Sequence, residues 1–231
     1  MLALTTTAIL FALATPASAT HSWGSYHWAR TSNPFELKLG DNLTSAWDSY
    51  LATASADWTN SAVLNTTIVA GNAGNVKRCN VTPGRVEVCN STYGANGWLG
   101  IAGISLSAGH IAAGYVKLND TYFNTSTYNT PAWRQMVMCQ EIGHTFGLDH
   151  QDENFNNANL GTCMDYTNLP ASNQHPNQHD YDQLATIYNH LDSSTTISSS
   201  TPSGPGKGSR SRVVDVDRHG NGTVTWIHWT N

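Results

Sequence analysis

The most informative stretch of this sequence is Gln140-Glu141-Ile142-Gly143-His144-Thr145-Phe146-Gly147-Leu148-Asp149-His150. Positions 140 and 144 are one turn apart on a helix, so their side chains project from the same face. Gly147 can end that helix with a positive φ angle at little steric cost. The chain can then turn sharply, which brings His150 back toward Gln140 and His144, with Glu141 beside them. Three converging side chains with an open fourth position are typical of a catalytic zinc site.

The same stretch resembles the signature of the metzincin zinc proteases, H-E-x-x-H-x-x-G-x-x-H followed by a Met-turn. It matches at every fixed position except the first metal ligand, where Gln140 replaces histidine. Cys163-Met164-Asp165-Tyr166 lies downstream, where the Met-turn belongs. The resemblance implies that Met164 forms a hydrophobic floor beneath the metal and that Tyr166 helps to hold the metal or the oxyanion. It also implies an α/β (α+β) fold, in which a twisted mixed sheet is packed with helices, among them the zinc helix and a C-terminal helix after the Met-turn.

The function implied by this resemblance is that of a secreted zinc metalloendopeptidase. Gln140, His144 and His150 would bind one catalytic zinc ion, and Glu141 would act as the general base toward metal-activated water. Protein or peptide is the expected substrate, and an extended peptide would pair with the edge of the strand predicted at 98–106. Tyr166 would donate to the developing oxyanion.

The glutamine at position 140 leaves a second interpretation open. Its amide oxygen can bind zinc and is neutral, as imidazole is, but it is the poorer donor, so metal affinity should fall. The chain is then either an active protease with a weakly held ion or an inactive pseudoprotease acting as a secreted binding or inhibitory protein. The retained Glu141 favours activity, because an abandoned site has no need of its base. A carbohydrate- or surface-binding protein that uses exposed aromatic residues is a further alternative.

The chain has four cysteines, at Cys79, Cys89, Cys139 and Cys163. An even number in an exported chain predicts two disulfides, and four cysteines allow three pairings. We favour a Cys79–Cys89 bridge that clips the intervening loop, from which Cys139–Cys163 follows. The family resemblance supports the second bridge independently, because its two cysteines abut the first ligand position and the Met-turn methionine.

Composition and the first residues indicate an exported protein. Residues 1–19 contain an apolar stretch that ends in Ala17-Ser18-Ala19, the small-x-small pattern of a signal peptide cleavage site. That apolar run is too short to span a bilayer, and no other stretch of the sequence is long enough to cross a membrane. The net charge of −5 argues against nucleic acid as a main partner, since phosphate binding needs a basic surface. We expect a secreted monomer.

Hydrophobic periodicity places the predicted elements along the chain. It predicts strands at 35–39, 62–69, 86–88, 98–106 and 110–118, and helices at 45–58, 131–147 and 180–191. We therefore divide the chain into a signal peptide (1–19), a catalytic domain (20–192), and a Ser/Thr/Pro/Gly-rich linker with a short C-terminal strand (193–231). The strand at 222–229 either docks on the main body or belongs to a disordered tail, since a lone strand is not a domain.

Several other polar residues are weaker candidates for metal binding. His110 lies in a Gly/Ala-rich strand and is expected to be structural, although it could approach the site. His175 and His179 are expected at the start of the last helix, near a cap at Asn177 or Asp180. Calcium is a possible second cofactor at Asp149, Asp152 and Glu153, but an exposed acidic loop is the better interpretation of these residues.

Overall fold

The computed structural model describes residues 21–198 and 212–230; the predicted signal peptide and much of the predicted linker lie outside these ranges. The elements in chain order are β1 (Phe35–Asn42), α1 (Asp48–Thr59), β2 (Leu64–Ala70), β3 (Val86–Ser91), β4 (Trp98–Ser107), β5 (His110–Asn119), α2 (Asp120–Phe123), α3 (Pro131–His144), α4 (Gln178–Ile187), β6 (Arg212–Val216) and β7 (Gly222–Trp229). A short 3-10 turn at Pro170–Ser172 lies between α3 and α4.

All of these strands belong to one mixed sheet with the order β2-β1-β3-β5-β4-β7-β6. The half from β2 to β5 is parallel. The half from β5 to β6 is antiparallel. Helix α1 joins the parallel neighbours β1 and β2, because a parallel pair needs a long crossover connection. The predicted fold class, a mixed sheet packed with helices, is confirmed.

Helices α1 and α3 pack together on the sheet and bury a shared apolar core. Strand β1 alternates in burial along its first five residues, with Leu37 and Leu39 fully buried, as the alternating sequence pattern predicts. Trp58 of α1 is also fully buried, and its indole nitrogen donates to the Cys139 carbonyl of α3 at 3.1 Å. This contact fixes α1 against the middle of α3, which carries the predicted metal-binding residues.

The start and the end of α3 follow from local chemistry. The Thr130 hydroxyl caps the helix by accepting from the Trp133 backbone amide at 3.2 Å, and Pro131 occupies the first turn as predicted. The α-helix ends at His144, three residues before the predicted end, and one further turn leads to Gly147. Gly147 has a φ of 97°, and a Cβ at this position would lie 2.3 Å from the Tyr26 carbonyl oxygen. Glycine is therefore required where the chain turns back toward His150.

The C-terminal region docks on the sheet as a hairpin of two strands. Strand β7 pairs with β4 over most of the length of both, and β6 pairs with the other side of β7. The sequence left open whether this strand docks on the main body or lies in a disordered tail, and in the structure it docks. Only one strand was predicted here; β6 was missed because it directly follows a Ser/Gly-rich run and its five residues are too few to show a period.

Both predicted disulfides are present, Cys79–Cys89 and Cys139–Cys163, and no cysteine of the described chain is free. Among the described helices, none combines the length and apolarity needed to cross a membrane.

Candidate active site

The centre of the site is a pair of histidines whose ring nitrogens face each other. Nε2 of His144, at the end of α3, lies 3.0 Å from Nε2 of His150, which follows the turn at Gly147. The two rings are perpendicular, with centroids 4.5 Å apart. Only 1% of the His144 surface is exposed, and the His150 side chain is almost as deeply buried. The helix end and the glycine turn thus bring these two predicted ligands together.

The opposite ring nitrogens determine the tautomer of both histidines. Nδ1 of His144 donates to the Leu148 carbonyl at 2.9 Å, and Nδ1 of His150 donates to the Glu153 carboxylate at 3.1 Å. In the neutral form, both Nε2 atoms therefore carry a lone pair rather than a proton. Two lone pairs at this separation repel, and a cation between them removes the repulsion. Zinc–nitrogen bonds of 2.0–2.1 Å place tetrahedral donors about 3.3 Å apart, so the pair fits a zinc ion.

Glu141, the predicted general base, is fully buried on α3, where its side chain packs against β4. Its carboxyl oxygens have no hydrogen-bond partner of good geometry among the described residues, and only the Ala102 backbone on β4 interacts favourably with its charge. Burial raises the pKa of Glu141 well above its ordinary value. Gly100 of β4 makes room for the side chain, because a Cβ there would lie 2.6 Å from a Glu141 oxygen.

Both ends of the Gln140 amide have partners within the protein. Its Nε2 donates to the Cys163 carbonyl at 2.8 Å. Its Oε1 accepts from Nδ1 of His228, on β7. Gln140 lies on the same face of α3 as His144, as predicted, and is fully buried. Its role as a metal ligand stays a prediction, because its amide oxygen accepts a hydrogen bond from His228 in this structure.

Met164 and Tyr166, the residues of the predicted Met-turn, lie close to α3 and to His150, respectively. Met164 is fully buried, and a side chain at Gly143 of α3 would come within 2.7 Å of its sulfur. The Tyr166 ring is 4.2 Å from the His150 ring, centroid to centroid. Burial, followed by the charges of Glu153 and Glu141, raises the pKa of Tyr166, so its hydroxyl keeps its proton at neutral pH. It can therefore donate a hydrogen bond.

His228 is the residue of this site that sequence reasoning missed. It lies on β7 opposite Gly100 of β4, with 1% of its surface exposed. Its Nδ1 contacts Gln140, and its ring lies 5.5 Å from the Tyr166 ring. The one signal in the sequence was a histidine between the apolar residues of the predicted 222–229 strand. Strand β7 lies along the edge of β4, the edge that we expected an extended substrate to use.

The weaker candidates lie apart from the metal pair or serve it indirectly. Asp149 and Glu153 flank Nδ1 of His150, at 3.7 and 3.1 Å, on the side of the ring that faces away from His144. His175 pairs with Asp57 on the surface. Asn177 caps α4, one of the two positions predicted for that cap.

Comparisons with known proteins give only distant likenesses. No family model matches the chain, and no curated protein matches it. Among solved structures, the chain is similar to high choriolytic enzyme 1, a hatching enzyme zinc-protease from the medaka fish Oryzias latipes. The sequence identity is 11% and the TM-score is 0.41. The alignment covers 74% of this chain and 98% of the enzyme. It is also similar to myroilysin, with 13% identity, coverage of 77% and 97%, and a TM-score of 0.40. With overall likenesses this low, the assignment of the site depends on its own residues.

Proposed function

We propose that this protein is a secreted zinc-dependent endopeptidase whose metal is held by His144 and His150. The observation that carries the proposal is the 3.0 Å separation of their two Nε2 atoms, both of which carry lone pairs. The two disulfides support the extracellular part of the proposal, since such bridges persist in oxidising compartments.

Zinc bound at this position would act as a Lewis acid and would lower the pKa of a water molecule to about 7. Glu141 would take the proton of that water and pass it to the leaving amine. Its burial suits the task, because a carboxylate with few hydrogen bonds has a raised pKa and is a stronger base. Tyr166, which keeps its proton, would donate to the developing oxyanion.

The proposed substrate is an extended peptide. The outer edge of β4 would pair with its backbone, as an edge strand pairs with an added strand. Strand β7 pairs with that edge from Trp98 to Leu106 in the structure, so a peptide has to displace it. Because β7 occupies the proposed binding edge, we expect the intact chain to cleave peptides slowly.

The test is zinc-dependent cleavage of casein by the full chain, with Glu141→Gln as the matched variant. We expect both proteins to bind zinc and only the parent to cleave, with a loss of at least about 100-fold in the variant. Equal cleavage by the two zinc-loaded proteins would exclude Glu141 as the general base. Cleavage by neither, with zinc bound, would leave a non-catalytic metal-binding protein. Failure of the parent to bind zinc would contradict the metal site itself.

A further inference from the structure

A second group of metal-ligand side chains lies apart from the His144–His150 pair. It consists of His27, His110, His190 and Asp192, here called the His–Asp cluster. His27 belongs to the segment before β1, His110 opens β5, and the other two residues follow α4. These positions are far apart in the chain, and the fold brings all of them to the Asp192 carboxylate.

The distances within the cluster centre on one carboxylate oxygen. Asp192 Oδ1 lies 3.2 Å from Nε2 of His110, 3.4 Å from Nε2 of His27 and 3.8 Å from Nε2 of His190. Nε2 of His27 is in turn 3.2 Å from Nε2 of His190. Donors around a tetrahedral zinc ion are about 3.3 Å apart, so these separations are those of a set of metal ligands. The donor set, imidazole with carboxylate, is one that zinc commonly accepts.

The hydrogen bonds around the cluster leave its inner atoms in need of a cation. Nδ1 of His27 donates to the Ser25 carbonyl at 2.7 Å, which in the neutral ring leaves a lone pair on Nε2. That lone pair faces Asp192 Oδ1, an acceptor, and Nε2 of His190. Two hydrogen-bond acceptors at this distance repel unless a proton or a metal ion lies between them. A backbone carbonyl on the outer nitrogen is also the usual outer partner of a metal-bound histidine.

The carboxylate itself is held in place from its other side. Asp192 Oδ2 accepts from the Arg30 guanidinium at 2.9 Å and from the Arg30 backbone amide at 3.1 Å. The Arg30 carbonyl accepts from the Asp192 backbone amide at 2.9 Å. These bonds occupy Oδ2 and leave Oδ1 for the histidines. The His190 and His110 side chains are 48% and 32% exposed, which gives an ion a path into the cluster.

We infer that the His–Asp cluster is a second zinc site, separate from the proposed catalytic centre. His27, His110 and Asp192 bring their ligand atoms within 4.8 Å of one another. With His190 as the fourth ligand, protein atoms would close the coordination sphere, which is typical of a structural rather than a catalytic zinc. The ion would tie the segment before β1 and the segment after α4 to the start of β5. Since metal binds only the folded arrangement, zinc at this site stabilises the native state.

The test is the number of zinc ions bound per full-length chain, measured by dialysis and elemental analysis. The parent binds two, and His110→Ala and His190→Ala each bind one. His144→Ala also binds one, because it loses the other site. His175→Ala is the matched control, because His175 pairs with Asp57 at 2.7 Å and belongs to neither proposed zinc site; this variant keeps both ions. Circular dichroism confirms that each variant is folded.

A second measurement isolates the site from any peptidase activity. In the His144→Ala background, cobalt(II) gives the visible absorption of a tetrahedral ion, and zinc raises Tm. Both effects disappear on adding His110→Ala, with at least about a 100-fold loss of affinity. Two ions retained by both His110→Ala and His190→Ala would overturn the inference and leave a hydrogen-bonded cluster around a protonated imidazole. If the parent binds a single ion that is lost only in His144→Ala, the second zinc site is overturned and the proposed function stands. If that single ion is lost only in His110→Ala, the second zinc site stands and the proposed catalytic site is overturned.

Discussion

The hydroxyl of Tyr166 donates a hydrogen bond to the backbone carbonyl of Ile227, at 3.3 Å. Tyr166 is the residue expected to meet the carbonyl of a substrate, and Ile227 belongs to the protein's own strand β7. That strand runs antiparallel to β4 and pairs with it from Trp98 to Leu106. The C-terminal strand therefore occupies the proposed peptide-binding edge, and its Ile227 carbonyl takes the hydrogen bond that we propose for a substrate carbonyl.

Displacement of β7 is expected to increase peptidase activity. Thr225 lies opposite Gly103 of β4 and Val213 of β6, so its backbone amide faces one of these strands. Thr225→Pro removes that amide and disfavours the strand. We expect zinc-dependent casein cleavage to rise by at least about tenfold, equivalent to 1.4 kcal/mol. Thr225→Val keeps the amide and serves as the control. A folded, zinc-loaded Thr225→Pro variant no faster than the parent would show that β7 does not obstruct the site.

Replacement of Gln140 by histidine is expected to tighten zinc binding. Imidazole is the stronger donor, and position 140 lies one helical turn from His144, the spacing of two zinc ligands on one face. The variant loses the amide bonds to Cys163 and His228, which opposes part of the gain. We expect zinc affinity to increase by at least about tenfold. Gln178→His, on the exposed start of α4, controls for adding a histidine. Unchanged or weaker affinity in Gln140→His would mean that this position does not contribute to the metal site.

The local features of the site were predictable because each depends on neighbouring residues. Helix α3 was predicted from a first-turn proline, a glycine stop and the four-residue spacing of Gln140 and His144. The turn at Gly147 follows from the need for a positive φ, which the structure confirms. The cysteine pairs followed from their number and their places in the chain, and the structure contains both bridges.

Long-range contacts were not predictable from the same evidence. The pairing of β7 with β4 joins positions more than 100 residues apart, and a period-2 pattern specifies a strand but not its neighbour. The sequence therefore left open whether the strand that carries His228 docks on the main body, and it gave no reason to place His228 beside Gln140. The His–Asp cluster was missed for the same reason, because His110 showed no metal-ligand spacing to any other histidine. Only the fold brings His110 next to Asp192.

A buried carboxylate far from the metal pair is expected to control stability in acid. Burial alone would raise the pKa of Glu87, but hydrogen bonds from Arg85, Thr82, Asn72 and Asn42 outweigh it and hold the pKa below its ordinary value of 4.5. The ionised form is therefore favoured in the folded state. Its contribution is complete above the unfolded pKa and is lost as the pH falls through the lower, folded value.

Urea unfolding at a series of pH values tests this linkage. At pH 7 we expect Glu87→Gln to lower the free energy of unfolding by about 1–3 kcal/mol, the value of hydrogen bonds to a charged group. The gap between parent and variant should narrow below about pH 4.5, as the parent loses the contribution of its carboxylate. The exposed Glu36→Gln variant should follow the parent at every pH. A gap that stays constant down to pH 2.5 would contradict the assignment.

The Cys139–Cys163 disulfide is expected to support both stability and metal binding. It spans 24 residues and joins α3 to the Met-turn, directly beside Gln140 and Met164. Closing a loop of this length stabilises the folded state by about 3 kcal/mol in the chain-entropy model. Replacing both cysteines with alanine should therefore lower the free energy of unfolding of the metal-free protein by about that amount. It should also weaken zinc binding, because the segment around Met164 is no longer held against α3, which carries the proposed ligand His144.

The Cys79–Cys89 bridge provides the matched control, because it spans only 10 residues and joins no part of the metal site. Its double alanine variant should lose slightly less stability, since the loop is shorter, and should bind zinc as the parent does. Denaturant unfolding in the presence of a chelator measures stability, and competition with a chromophoric chelator measures zinc affinity. Equal zinc affinity in both double variants would show that the Cys139–Cys163 bridge only restrains the unfolded chain and does not position the metal site.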